Sequence, residues 1–402
     1  MADKVVLAYS GGLDTSVAIK WLTDKYNVEV IALTADIGGV GDLASIQQKA
    51  LKVGAVKALT LDARELFVNS FVFPGLQAGV LYEGQYPLAT ALGRPLIAKL
   101  LVDTARSEGA VAVAHGSTGK GNDQVRFDVA VAALAPELKI MAPAREWGMT
   151  REETIAYAEQ YSIPLPITAD SPYSIDENLW GRSIECGVLE DPWVEPPEDA
   201  FAWTRSPYAT PDEPDYAEIG FEKGIPVSLD DEKLDGITLI QRLNDLAGKH
   251  GVGRIDHVES RLVGIKSREI YEAPAATVLL KAHQALEAMT LSRSQLRFKE
   301  KISGEYADIV YNGLWFTALR RDLAAYVDSS QRYVVGTVRV KLFKGNCMVV
   351  GRRSPFSLYD YSLATYDKGD VFDQNASLGF IHIWGLPVRI QAQVQGSEDR
   401  IE

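Results

Sequence analysis

The feature that most constrains the fold is an alternation of short apolar runs with helical patterns over the first 165 residues. Runs rich in Val, Ile, Leu and Ala predict strands at 4–9, 28–35, 58–61 and 111–114. Apolar residues spaced three or four apart predict helices at 15–25, 43–53, 64–71 and 96–107, and another beginning near Asn122. Strands that are apolar along their length are typical of a parallel sheet with helices on both faces. We therefore predict an α/β domain whose ligands bind beyond the carboxyl ends of the strands.

The second half of the chain has a different pattern. Prolines at 164, 166 and 172 indicate a linker, and six more between 191 and 216 indicate an irregular surface segment. Helices are predicted at 236–249, 275–290, 294–311 and 317–328, with a hairpin at 333–352. An apolar segment at 378–386 stands apart near the end. We therefore predict three parts, an α/β domain at 1–168, an α+β domain at 169–366 and a C-terminal helical arm at 367–402.

The charge balance and the cysteines disfavour several classes of protein. Lys and Arg number 41 against 54 Asp and Glu, a net charge of −13, and the basic residues are dispersed. Nucleic-acid binders usually carry a basic stripe, so we expect no nucleic-acid partner. Cys186 and Cys347 have no CxxC or zinc spacing, and no signal peptide or membrane-length apolar run is present. These features favour a cytoplasmic protein without a membrane partner.

The first of two glycine-rich loops lies where the first strand turns into the first helix. It reads Ala8-Tyr9-Ser10-Gly11-Gly12-Leu13-Asp14-Thr15-Ser16. Adjacent glycines let the backbone approach a phosphate closely, while the hydroxyls and the helix N-terminus add donors and a favourable dipole. The alternative is a plain turn in which Asp14 or Thr15 is the helix N-cap. The full string favours phosphate binding, although it is not a GxxxxGK[ST] loop.

The second loop, at 115–127, reads HGSTGKGNDQVRF and lies between a strand and a helix. So many glycines are costly in a purely structural turn, because glycine loses the most conformational freedom on ordering. Helical spacing puts Asn122 and Arg126 on one face. Arginine suits a carboxylate and Asp123 suits an ammonium group, so the loop predicts a site for a zwitterion. The alternatives are a solvated loop and, for His115, a structural histidine.

These strings resemble known families. SGGxD[ST] resembles the pyrophosphate loop of the N-type ATP pyrophosphatases, which cleave ATP between the α and β phosphates. GSTGKGNDQVRF at 116–127 is more specific, and the whole chain resembles the argininosuccinate synthase family, with further similarity at 86–90, 176–182, 256–259 and 267–274. The resemblance implies a Rossmann-like nucleotide-binding domain at 1–168, a synthetase domain at 169–366 and an oligomerisation arm at 367–402 in a homotetramer.

The resemblance also implies which residues bind the substrates. ATP, expected with Mg²⁺, would be held by Ala8, Tyr9, Ser10, Gly11, Gly12, Leu13, Asp14, Thr15, Ser16, Ala35 and Gly116. Citrulline would contact Tyr86, Asn122, Arg126, Ser174, Ser183, Glu259 and Tyr271. Aspartate would contact Thr118, Asn122 and Asp123. Taken singly, several of these residues have structural alternatives, and none is assigned as a general base or a metal ligand.

The implied reaction is ATP-dependent ligation of citrulline and aspartate through a citrullyl-adenylate, with release of AMP and pyrophosphate. One rival is another pyrophosphate-loop enzyme, acting on tRNA or with an ammonia-producing domain, which the acidic balance and the lack of CxxC oppose. A second rival binds ATP without turnover and would not need Asn122, Asp123 and Arg126. Two positions depart from many relatives. The turn at 38–41 lacks a glutamine, and Ala91 replaces a serine.

Overall fold

A computed structural model of the chain describes residues 2–39, 41–164 and 173–396. The chain forms two compact units, Met1–Phe356 and Ser357–Glu402, each considered by itself below. Most of the predicted linker at 163–172 lies outside the described residues, as does the predicted boundary between residues 168 and 169. The division into three parts stays a prediction.

The first sheet has five parallel strands in the order β3-β2-β1-β4-β5. Its strands are β1 Lys4–Ala8, β2 Glu29–Asp36, β3 Lys57–Asp62, β4 Ala112–Ala114 and β5 Lys139–Met141. The first four confirm the prediction to within one residue at each end, whereas β5 was not predicted. Strand β1 is central and pairs in parallel with both β2 and β4. The carboxyl ends of these three strands therefore lie at one edge of the sheet, where each glycine-rich loop begins.

Both faces of this sheet are covered by helices, as predicted. Val5 and Leu7 pack with residues of the first helix on one face, while Val6 packs against the fifth helix on the other. Successive strand residues point to opposite faces, so an unbroken apolar run buries both sides. The helices are α1 Leu13–Tyr26, α2 Leu43–Val53, α3 Arg64–Phe67, α4 Phe73–Ala78, α5 Ala89–Glu108, α6 Asp123–Leu134, α7 Pro143–Glu146 and α8 Arg151–Gln160.

Two of these helices differ from the prediction. The single helix predicted at 64–71 is instead α3, a π-helical turn Val68–Val72 and then α4. Helix α5 begins at Ala89, not at Leu96, and contains Pro95 in its interior. Proline usually stands in the first turn of a helix, and Pro95 directly precedes the predicted start.

The second half of the first unit combines two antiparallel sheets with four long helices, which confirms the predicted α+β class. The sheet orders are β11-β12-β7-β6 and β10-β9-β8-β13-β14. The strands are β6 Ser174–Asn178, β7 Gly181–Glu185, β8 Asp215–Glu222, β9 Ile225–Leu229, β10 Glu232–Lys233, β11 Arg254–Ser260, β12 Lys266–Glu272, β13 Gly336–Phe343 and β14 Asn346–Arg353. The helices are α9 Gly236–Lys249, α10 Pro274–Thr290, α11 Arg293–Tyr311 and α12 Ala318–Gln331.

The turn after β2 joins the parallel sheet to the β6–β7 hairpin. The Leu179 N–H donates to the Ile37 carbonyl at 3.0 Å. A Cβ on Gly38, which has φ +97°, would lie 2.2 Å from Leu179 Cγ, and one on Gly39 would lie 2.0 Å from the Glu177 carbonyl oxygen. Gly38 and Gly39 are therefore required by close packing in this turn.

The described part of the second unit, residues 357–396, contains three helices, α13 Tyr361–Ala364, α14 Ala376–Trp384 and α15 Leu386–Gln395. Helices α14 and α15 confirm the predicted helical character of this segment, and Pro387 stands in the first turn of α15. The rings of Phe380 and Trp384 stack with centroids 5.6 Å apart. Leu378, Phe380, Ile381, Ile383 and Trp384 are all more than 60% exposed. Within the described ranges, no helix combines the length and apolarity needed to cross a membrane.

Candidate active site

The first glycine-rich loop leaves the start of α1 open to an anion. Gly12 is the N-cap of α1 and provides no side-chain cap, so the alternative in which Asp14 or Thr15 caps the helix is wrong. Gly11 has φ +79°, a conformation that favours glycine. Lys49 Nζ donates to the Gly11 carbonyl at 2.6 Å, so this carbonyl is already bonded. Because the first N–H groups of a helix lack intrahelical partners, the loop offers donors to a phosphate.

Other residues of this loop support it from inside the domain. The hydroxyls of Tyr9 and Ser16 are 3.1 Å apart, and both side chains are buried. The Thr34 hydroxyl donates to the Tyr9 carbonyl at 2.8 Å. Tyr9 and Ser16 thus hold the loop on the sheet and keep their side chains in the core, whereas Asp14 is exposed at the first turn of α1.

The two glycine-rich loops meet at Gly116. A Cβ at this position would lie 2.9 Å from Thr15 Cγ2, closer than ordinary packing allows. Ala35 lies near the end of β2, the strand beside β1. The sheet therefore brings the three predicted ATP segments to one edge, as the strand order requires.

His115 has a structural role in the second loop, which was the alternative interpretation of its position. Its Nε2 lies 2.9 Å from Asp128 Oδ1, and its Nδ1 accepts a hydrogen bond from the Ser117 N–H at 3.2 Å. The ring is 2% exposed and stacks on Phe127. His115 therefore fixes the path of the loop towards Gly116.

A cavity of about 250 Å³, called the loop cavity here, opens beside the second loop. Nine predicted residues line it: Tyr86, Gly116, Thr118, Asn122, Asp123, Arg126, Ser183, Glu259 and Tyr271. Ser174 is exposed and does not line the cavity, although it pairs across the hairpin with Glu185, which does. The structure thus brings residues from four separate stretches of sequence to one site.

The β-sheet explains how distant residues share this cavity. Side chains two apart on a strand point to the same face, and Ser183 with Glu185 on β7 faces the cavity beside Glu269 with Tyr271 on β12. Ser183 is directly opposite Tyr271 in the register. The strands therefore present a polar face to the cavity.

Asp123 lies between two arginines. Arg94 Nε donates to one of its oxygens and Arg126 Nη1 to the other, each at 2.8 Å. Burial alone would raise the pKa of the Asp123 carboxyl, but the two guanidinium groups outweigh that effect and lower it. Arg94 also pairs with Asp176. The arrangement holds an ionised carboxylate beside cationic groups, which suits an amino-acid zwitterion.

Aromatic rings surround a second carboxylate, that of Glu259. Tyr271 stacks on Tyr86 with centroids 4.0 Å apart, and the Tyr271 hydroxyl donates to Glu259 Oε2 at 2.5 Å. Burial raises the pKa of Tyr86 to about 12 and that of Tyr271 well above its usual value. Both phenols therefore keep their protons at neutral pH, and the Tyr86 hydroxyl accepts a hydrogen bond from the Thr90 N–H at 3.0 Å.

Several residues of the site were missed by sequence reasoning. Arg261 Nη2 donates to Glu269 at 2.6 Å and also pairs with Glu185. Burial, together with the nearby charge of Glu185, raises the pKa of Glu269 to about 8. These charges look like a solvated strand in the sequence. Only Glu269 lies in 267–274, one of the segments that carry the resemblance, and that position was the signal that could have found it.

The fold and site together define a class of protein. A loop suited to phosphate follows the first strand of the parallel sheet and contacts a cavity lined by paired acids and arginines. This arrangement is typical of a nucleotide-dependent enzyme that acts on an amino-acid-like substrate.

Comparison with known proteins identifies the family. The profile of the arginosuccinate synthase N-terminal HUP domain matches residues 4–164, and that of the C-terminal domain matches 173–391. The chain is 64% identical over 395 residues to an argininosuccinate synthase of Dehalococcoides mccartyi, covering 98% of this chain and 97% of that protein. It is 60% identical over 396 residues to that of Symbiobacterium thermophilum (98% and 99% covered) and 59% over 398 to that of Oceanobacillus iheyensis (99% and 95%). The chain belongs to the argininosuccinate synthase family and is an ATP-dependent ligase of arginine biosynthesis, as predicted.

Proposed function

We propose that this enzyme joins citrulline to aspartate through a citrullyl-adenylate. The observation that carries the proposal is the contact between Gly116 and Thr15, which sets the loop cavity against the open start of α1. A nucleotide held by the first loop would extend its α-phosphate towards that contact. The ureido oxygen of a citrulline bound in the loop cavity would then lie next to that α-phosphate.

The reaction has two displacement steps. The citrulline ureido oxygen attacks the α-phosphorus of ATP, and pyrophosphate leaves with the electron pair of the broken P–O bond. The aspartate amine then attacks the ureido carbon and loses a proton, and AMP leaves with the former ureido oxygen. Neither step needs a covalent bond to the enzyme, so the protein supplies positioning and charge stabilisation.

Each predicted residue has a role in this scheme. The loop at 8–16, the backbone at Ala35 and Gly116 bind ATP. Citrulline binds through Tyr86, Asn122, Arg126, Ser183, Glu259 and Tyr271 of the loop cavity, and through Ser174, which lies outside the cavity lining. Aspartate binds through Thr118, Asn122 and Asp123. The fact that nine of these residues line one cavity supports the assignment.

Mg²⁺ is part of the proposal as a component of the nucleotide substrate. Among the residues that the structure describes, no cluster of three or more His, Cys, Asp or Glu side chains could hold a metal ion. Mg²⁺ commonly binds proteins through one or two carboxylates plus substrate phosphates. The exposed Asp14, at the first turn of α1, is the carboxylate that would face it.

The exposed apolar face of α14 supports a homotetramer assembled through the arm at 367–402. Five large apolar side chains of this helix are more than 60% exposed. Burying each one is worth about 1.5–3 kcal/mol, so a partner that covers them is favoured. Deletion of residues 378–402 should lower the mass measured by light scattering, and an unchanged mass with unchanged thermal stability would contradict this role.

We also propose a cytoplasmic location and keep the boundaries at 168/169 and 366/367. Both cysteines are free thiols, which is consistent with a reducing compartment. The matched profiles change at 164–173, close to the first boundary.

The assay that tests this function contains ATP, Mg²⁺, citrulline and aspartate. We expect argininosuccinate, AMP and pyrophosphate in equal amounts, and no AMP when citrulline is left out. Gly12→Val should abolish all three products, because a branched side chain would occupy phosphate space. Binding of ATP without AMP formation in the complete mixture would contradict an enzyme and favour a protein that only binds nucleotide.

A further inference from the structure

We infer that Tyr311 is a positioning residue whose single hydroxyl holds the citrulline and aspartate subsites in register. It is the last residue of α11 and is completely buried, so it acts through the residues that it contacts. The inference rests on the proposed function, because the substrate roles of Asn122 and Glu259 come from there.

The Tyr311 hydroxyl is bonded on both sides. It accepts a hydrogen bond from Asn122 Nδ2 at 2.8 Å and donates one to Glu259 Oε1 at 2.6 Å. In the proposed function, Glu259 belongs to the citrulline subsite and Asn122 contacts both amino acids. One oxygen atom therefore connects the two subsites directly.

Asn122 depends on this hydroxyl for its orientation. Its Oδ1 accepts from the Leu262 N–H at 2.9 Å, while its Nδ2 donates to Tyr311. If the amide oxygen and nitrogen exchanged places, the NH₂ group of Asn122 would face the Leu262 N–H, which is also a donor. The Tyr311 hydroxyl would then lose the hydrogen bond that it accepts from Asn122. Loss of the phenol would remove half of the restraint on the amide.

Glu259 depends on it as well. This residue is 3% exposed, and each of its oxygens accepts one phenol, Tyr311 on Oε1 and Tyr271 on Oε2. A buried carboxylate that loses a donor is left partly unsatisfied, and it rotates to compensate. That rotation moves the group that would hold citrulline.

The Tyr311 ring is fixed independently of its hydroxyl. It stacks on Tyr82 with centroids 3.5 Å apart, and the Arg126 guanidinium lies 4.8 Å from its centre. Its backbone carbonyl accepts from Arg126 Nε at 2.9 Å. A phenylalanine at this position would keep all three contacts, so Tyr311→Phe removes the hydroxyl alone.

The test is steady-state kinetics of Tyr311→Phe, with each of the three substrates varied in turn while the other two are saturating. We expect the KM values for citrulline and aspartate to rise by about 10- to 100-fold, the loss of a hydrogen bond to a charged group, while the KM for ATP stays within about twofold. Tyr306→Phe, at another completely buried tyrosine of α11, is the matched control and should leave all three KM values unchanged. Unchanged amino-acid KM values in Tyr311→Phe would overturn the inference.

A double-mutant cycle separates positioning from general structural support. Tyr311→Phe and Glu259→Gln disturb the same hydrogen bond, so their effects on the KM for citrulline should be clearly less than additive. Additive effects would overturn the inference, as would a Tyr311→Phe protein that is unfolded by circular dichroism. A wild-type chain that forms no argininosuccinate would instead contradict the proposed function.

Discussion

Replacing Asp123 with asparagine would test the electrostatic design of the loop cavity. The carboxylate accepts one hydrogen bond from Arg94 and one from Arg126, and these cations lower its pKa. It is therefore ionised at neutral pH, and the substitution removes a full negative charge while keeping the shape. Asparagine can still accept from one arginine, but its NH₂ group faces the other.

The size of the effect follows from these contacts. A hydrogen bond to a charged group contributes about 1.5–3 kcal/mol, and one such bond is lost. The proposed contact with the aspartate ammonium weakens by a similar amount, which corresponds to a rise of about 10- to 100-fold in the KM for aspartate. Arg126 keeps its bond to the Tyr311 carbonyl, so citrulline binding should change less.

The assay is product formation at varied aspartate with saturating citrulline and ATP. Asp256→Asn is the control, because both oxygens of Asp256 also bind a guanidinium, that of Arg268, outside the loop cavity. We expect little change in the KM for aspartate in that variant. The reasoning is refuted if Asp123→Asn keeps a normal KM for aspartate and loses citrulline-dependent ATP cleavage.

Three further predictions concern stability and ATP binding. Gly39→Ala should lower the free energy of unfolding, measured in urea, by about 1–3 kcal/mol, because the added Cβ would clash with the backbone of Glu177. Gly41→Ala is the control, because a Cβ at Gly41 would meet open space and should leave the free energy of unfolding unchanged. Equal effects of the two substitutions would contradict the close packing at Gly39. In the folded state the Glu269 carboxyl has a pKa of about 8, whereas in the unfolded chain it has its ordinary pKa of 4.5. Between pH 6 and 8 unfolding therefore releases a proton, and the free energy of unfolding should fall by up to about 1.4 kcal/mol per pH unit as the pH rises. Glu269→Gln should lose that dependence in urea titrations, and a variant with the wild-type slope would contradict it. Lys49→Met should raise the KM for ATP about tenfold, because it removes the hydrogen bond from Lys49 Nζ to the Gly11 carbonyl. Lys52→Met, on the same helix, should leave the KM for ATP unchanged. Equal KM values for ATP in the two variants would exclude a role for that hydrogen bond.

The parallel sheet could be predicted because burial on both faces leaves an unbroken apolar signal. The hairpins at 174–185 and 254–272 could not, because one face of each carries the polar residues of the cavity. Charged and hydroxyl-bearing residues recur along these strands, so the sequence predicts a loop when the partner strand is unknown. The start of α5 was misplaced for a local reason, since the structure tolerates Pro95 inside that helix.

The candidate site was predicted unevenly for a related reason. Residues within the two glycine-rich loops share a short string, so their chemistry is visible together. Arg94 meets Asp123 and Asp176 only in the folded chain and lies in none of the segments that carry the resemblance. Tyr311 looks like one more apolar residue of an amphipathic helix, and only its contacts distinguish it. Long-range pairing therefore accounts for what the sequence alone did not reveal.

In the proposed mechanism, the ureido oxygen of citrulline becomes bonded to the α-phosphorus of ATP. Turnover with citrulline labelled with ¹⁸O in the ureido group, followed by mass spectrometry of the AMP produced, measures this directly. We expect the label in the phosphate of AMP and none in argininosuccinate. AMP without the label, formed during normal turnover, would contradict a citrullyl-adenylate.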